Sequence, residues 1–141
     1  MPRSIDPHRE VDRLVTLVRR EQKRRMRTAV YSLWNVGDGV RRLKRTVEPR
    51  KWSRSLEACA AKLGLHASSL VDAGRAAEAF AVGQRRELCG RFEMAGAELT
   101  PSHVIELARA PKGQRSRGIE ALLQKSYTVR DLRSYLHGES L

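Results

Sequence analysis

Cysteine is scarce. Cys59 and Cys89 stand 30 residues apart, each among helix formers, and neither has a second Cys or a His close enough to form a zinc-ligand pair. They read as buried thiols. Aromatic residues make up only 5% of the 141 residues, which argues against a surface that stacks successive bases. No run of about 18 apolar residues is present, so no spanning helix is expected. The opening Met1-Pro2-Arg3-Ser4-Ile5-Asp6 lacks the apolar centre of a signal peptide. A cytoplasmic location follows as the expectation.

Catalytic signals are equally thin. His8, His66, His103 and His137 are far apart and show no metal-binding spacing, and no Ser-His-Asp arrangement can be read from them. Gly37-Asp38-Gly39 follows a helical pattern and lacks the Gly-Lys-Ser/Thr ending of a phosphate loop. Neither catalysis nor a metal or cofactor is expected. His103 follows Ser102 in the first turn of a helix, where it reads as a cap or packing residue, or as a phosphate contact.

Basic residues, by contrast, are abundant. Lys and Arg number 28 against 16 Asp and Glu, a net charge of +12, with a pI near 10.8. With 40% hydrophobic and 31% charged residues, the balance is that of one small folded domain rather than a disordered chain. A folded domain this basic points to a polyanionic partner, chiefly nucleic acid. The charge is uneven: residues 1–54 carry a net +10 and residues 55–141 a net +2. Of the basic residues 22 are Arg, whose planar fork grips phosphate bidentately, although a GC-rich genome also favours arginine codons.

Periodicity predicts helices throughout. Asp6-Pro7 is a cap-and-proline start, after which Val11, Val15, Val18, Met26, Ala29, Leu33, Val36, Val40 and Leu43 recur on one side at the helical period. Gly37-Asp38-Gly39 interrupts the propensity but not the phase, which predicts one bent helix or two nearly collinear ones. The other side carries Arg13, Arg20, Lys23, Arg24, Arg27, Arg41, Arg42 and Arg45, a basic ridge with no acidic residue at those eight positions. Its plain alternative is the solvated back of an amphipathic helix.

Glu48-Pro49 ends this helix. Trp52, Leu56, Cys59, Ala60 and Leu63 form the apolar side of a shorter one closed by Gly64,. Further helices are expected over 67–80, about 84–94 closed by Gly96, from the Thr100-Pro101 start to Pro111, over 113–125, and from the Thr128 cap to Gly138. No alternating strand pattern competes. The expected fold is an all-α, single-domain helical bundle of about seven or eight helices, with a long basic N-terminal helix. It spans residues 6–137 between a flexible terminus at 1–5 and a tail at 138–141.

Ala60-x-x-x-Gly64-Leu65-x-x-x-x-Leu70 has helix-turn-helix spacing. A small residue permits a close crossing, glycine permits the left-handed turn, and Leu65 and Leu70 are expected to pin the second helix to the first. Two packed helices with a glycine cap would read the same. The second helix begins near His66 and presents Ala67, Ser68, Val71, Asp72 and Arg75, with Ser69 beside them. One arginine, two hydroxyls and a carboxylate offer weak base readout.

From about Arg20 to Leu136 the chain resembles the N-terminal helical domain of YhcG-type proteins, which is usually fused to a PD-(D/E)XK nuclease. The resemblance is carried by Tyr31-Ser32-Leu33-Trp34-Asn35-Val36-Gly37, Trp52 to Leu63, Leu99-Thr100-Pro101-Ser102-His103-Val104, and Tyr127-Thr128-Val129-Arg130-Asp131-Leu132. The last two segments are also similar to the helical DNA-binding part of ParB and KorB partition proteins. Both resemblances imply winged-helix or helix-turn-helix binding of nucleic acid. The chain departs from the first family in lacking its nuclease half and in having Thr100-Pro101 where a tryptophan is frequent. It departs from the second in lacking the nucleotide-binding box.

The expectation is therefore a non-catalytic, nucleoid-associated dimer that holds double-stranded DNA through Arg20, Arg24, Arg27, Arg41 and Arg45. The helix-turn-helix contributes His66, Ser68, Ser69 and Arg75. The alternative is a helical adaptor that docks onto a second copy, a separately encoded nuclease or a partition protein through Val11, Leu14, Val15 and Val18. A membrane partner is not expected, because the apolar side of the long helix has no Trp or Phe before Trp34.

Overall fold

The computed structural model describes the backbone of residues 7–125 and 127–137, and side chains from Arg24 onward except Met26 and Ser126. Residues 1–6, with the expected Asp6 cap, residues 138–141, with Gly138, and the side chains of His8, Val11, Arg13, Leu14, Val15, Val18, Arg20 and Lys23 lie outside it. Among the described residues the fold is all-α. It comprises α1 (Pro7–Thr46), a 3₁₀ turn (Pro49–Lys51), α2 (Trp52–Leu63), α3 (Ala67–Ala79), α4 (Val82–Ala95), α5 (Pro101–Arg109), α6 (Lys112–Gln124) and α7 (Val129–Leu136).

Local chemistry sets the ends of these helices. Gly64 and Gly96 adopt left-handed φ values of 68° and 65°. The Leu65 amide then donates to the Ala60 carbonyl and the Ala97 amide to the Phe92 carbonyl, which satisfies the last carbonyls of α2 and α4. Thr100 and Thr128 cap α5 and α7 by accepting from the His103 and Asp131 amides, and those two side chains accept in return from the threonine amides.

α1 is a single helix about 60 Å long at 1.5 Å per residue,. Its side facing the bundle is not the expected apolar stripe. Val30, Trp34 and Gly37 are buried, whereas Ala29 and Val36 of the stripe are exposed and Leu33, Val40 and Leu43 are half-buried. At 100° per residue, the true inner side is rotated about a quarter turn toward the basic ridge. The cause is the crossing with α3. A Cβ at Gly37 would meet the Ala73 carbonyl and the Ala77 side chain, while Val40 sits against Gly74, so the two helices interlock through their glycines.

The main core joins Val30 and Trp34 to Phe80, Leu88, Phe92, Leu99, Val104, Leu107, Leu122 and Leu132. A smaller cluster of Leu56, Ala60 and Leu70, packed with Val40, Trp52, Cys59, Ala67 and Val71, ties the C-terminal end of α1 to α2 and to the first half of α3. Leu70 pins α3 as expected. Leu65 does not: it is exposed, as is Leu63 at 64%, because both flank the Gly64 turn beyond the cluster. Cys89 is buried and Cys59 only half-buried, so one of the two thiols departs from expectation. Burial raises the Cys89 pKa.

Candidate nucleic-acid interface

Trp34 stands seven residues after Arg27 and seven before Arg41, and residues seven apart share a helix face. Since Trp34 is fully buried, the ridge is interrupted where the bundle covers α1. Arg27 lies at the break, with its guanidinium 3.1 Å from Glu93 and stacked 5.7 Å over the Tyr31 ring. Its pKa is raised by the Tyr31 and Glu93 contacts. Arg24 is exposed on the N-terminal side of the break, and Arg41, Arg42 and Arg45 are exposed on the C-terminal side.

The C-terminal group continues past the end of α1. The Lys44 ammonium lies 5.8 Å over the centre of the half-buried Trp52 ring, a cation–π contact. Arg50, Lys51 and Arg54 follow on the 3₁₀ turn and the first turn of α2, and all three are exposed. Together with Lys62 and Arg75, residues 40–75 carry nine basic and three acidic side chains. Two of those carboxylates are occupied: Glu48 accepts from Arg50 at 3.1 Å, and Asp72 from Arg109 at 2.9 Å. Among the described residues, Arg41, Arg42, Arg45, Lys51 and Arg54 make no ion pair. The positive charge therefore collects on the end of the molecule built around the smaller cluster. Sequence periodicity missed Lys51 and Arg54, which follow the helix break; the signal that could have found them is the short Arg50-Lys51-Trp52-Ser53-Arg54 run.

On the same end, His66, Ser68, Ser69 and Arg75 are exposed along α3. His66 occupies the N-cap position without a side-chain cap bond. Asp72 lies between Ser68 and Arg75 on this side of the helix but is held by Arg109, and the exposed Glu78 follows Arg75 by three residues. Such a side suits phosphate contact at its N-terminal end better than base reading along its length.

His103 is internal. Its Nδ1 accepts from the Thr100 amide at 3.1 Å, and its Nε2 lies 3.0 Å from the Tyr127 carbonyl oxygen, which makes Nε2 the protonated nitrogen of a neutral ring. Burial lowers its pKa. This places His103 in a cap and not at a phosphate. A cleft of about 510 Å³ between α5, α6 and α7 contains Glu106, Arg109, Gln114 and Arg133. Glu106 accepts from Arg133 at 2.6 Å and from Arg109 at 3.1 Å, and with Asp72 it neutralises both guanidiniums. Among the described residues no group of three or more His, Cys, Asp or Glu is placed to hold a metal ion, and no helix is long and apolar enough to cross a membrane.

Comparison of the chain with protein-family models, curated proteins and solved structures gives no match.

Proposed function

We propose that this chain is a non-catalytic DNA-binding protein whose basic end, rather than the whole of α1, holds the phosphates of a duplex. The observation that carries the reading is the exposed, unpaired group Arg41, Arg42, Arg45, Lys51 and Arg54 on one small packed unit, where Asp38, Glu48 and Asp72 are each held by an arginine and, among the described residues there, Glu57 is the one exposed carboxylate left without such a partner. The YhcG-type and partition-protein resemblances point the same way. The weak base-reading chemistry of α3 predicts affinity for duplex with little sequence preference.

The test is the salt dependence of duplex binding. If five side chains each neutralise one phosphate, a slope of about −0.9 per contact predicts roughly a 500-fold loss of affinity between 50 and 200 mM salt. Affinity that ignores salt overturns the proposal.

A second reading, the adaptor, draws support from Leu63 and Leu65, which are exposed on either side of Gly64. Light scattering of the protein and of its Leu63→Ser/Leu65→Ser variant tests self-association; the same monomeric mass for both rules it out.

A further inference from the structure

We infer that Arg85 is a positioning residue for the basic end: by holding both oxygens of Asp38, it keeps that carboxylate off Arg41 and Arg42. The inference rests on the DNA reading above. Asp38, Arg41 and Arg42 occupy positions i, i+3 and i+4 of α1, the spacings at which an acidic side chain pairs with a basic one further along a helix. An unrestrained Asp38 would neutralise one of the two arginines and repel a phosphate approaching the other.

Arg85 prevents this. Its Nη1 donates to Asp38 at 2.7 Å and its Nη2 to the other Asp38 oxygen at 2.8 Å. The guanidinium is fixed in turn by Nε donating to the Phe80 carbonyl at 2.8 Å and Nη2 to the Ala77 carbonyl at 3.0 Å. The guanidinium carbon lies 5.6 Å over the centre of the Trp34 ring. The Arg85 side chain is 5% exposed and that of Asp38 32%, so the arginine approaches from the interior and leaves the outer surface of α1 to Arg41 and Arg42. A bidentate, planar contact of this kind resists exchange with a single exposed partner.

The experiment measures duplex affinity against salt for the wild type, Arg85→Gln, Asp38→Asn and the double variant, with helix content checked by circular dichroism. Arg85→Gln is expected to make the slope shallower by about 1, the equivalent of one phosphate contact, and the double variant to restore it. Asp38→Asn alone is expected to leave the slope unchanged, because Arg85 already occupies both carboxylate oxygens, although Arg41 and Arg42 still act on the carboxylate through space. A wild-type slope in folded Arg85→Gln, or a steeper slope in Asp38→Asn, overturns the inference. Absence of salt-dependent binding by the wild type overturns the DNA reading instead.

The wild-type protein supplies a measurement that does not depend on how the variants fold. In phenylglyoxal modification read by mass spectrometry, Arg41 and Arg42 are expected to react at the rate of Arg45, and Arg85 far more slowly. Equal protection of Arg41, Arg42 and Arg85 overturns the inference.

Discussion

A Cβ placed on Gly37 of α1 would stand 2.0 Å from the carbonyl oxygen of Ala73 on α3. The backbones of the two helices therefore touch at this point, and the absence of a side chain at residue 37 sets the distance between them. Gly39, two residues on, faces open space.

This pair of glycines gives opposite predictions. Gly37→Ala forces α1 away from α3 and is expected to destabilise the fold by about 1–3 kcal/mol, the usual cost of overpacking. Gly39→Ala restricts the unfolded chain without a clash and is expected to stabilise by about 0.5–1 kcal/mol. Urea midpoints of the two variants check both; a tolerated Gly37→Ala would show that the crossing has slack.

Glu106 links α5 to α7 through Arg133, and hydrogen bonding from Arg133 lowers its pKa. A carboxylate with a depressed folded pKa contributes stability that is fully present above its unfolded value near 4.3 and is lost as pH falls through the folded value. Glu106→Gln is therefore expected to cost about 1–2 kcal/mol near neutrality, with the difference from wild type shrinking below about pH 4. A deficit that stays constant into acid would remove Glu106 from the acid limb of the stability curve.

His103 has the other sign. The folded state favours its neutral ring, so below the unfolded value near 6.5 the unfolded chain takes up a proton that the folded chain resists. Stability is expected to fall as pH drops from about 7 toward 5, and His103→Gln, although weaker overall through loss of the cap, should flatten that dependence. Chemical denaturation at three pH values would show it. An equal slope in variant and wild type would rule out His103 as its source.

Among the basic residues, exposure and pairing rank the expected losses. Neutralising Arg41, Arg45, Lys51 or Arg54 one at a time to Gln should make the salt slope of duplex binding shallower by about 0.9 each. Arg27→Gln, at a guanidinium already held by Glu93, should change it less. Fluorescence anisotropy on one random-sequence duplex distinguishes these cases, and equal losses at all five positions would count against a binding end centred on residues 40–54.

Thr100-Pro101, Thr128, Gly64 and Gly96 marked helix ends correctly in the sequence because caps are local: a hydroxyl, a fixed φ or a missing Cβ acts within a few residues. All-helical class and the concentration of charge in the first third were legible for the same reason. The orientation of α1 was not. Two apolar arcs lie side by side on it, the longer run of valines and leucines and the shorter pair Val30 and Trp34, and periodicity favours the longer.

Composition and local pattern by themselves therefore determined helices, their ends and an excess of positive charge. Only the tertiary structure decided which side of α1 is inside, that Arg85 lies buried against Asp38, and that Lys51 and Arg54 extend the group begun by Arg41 and Arg45. These outcomes depend on contacts between residues far apart in the chain. The Gly37–Ala73 approach sets the first of them, and a period along one helix carries no record of it.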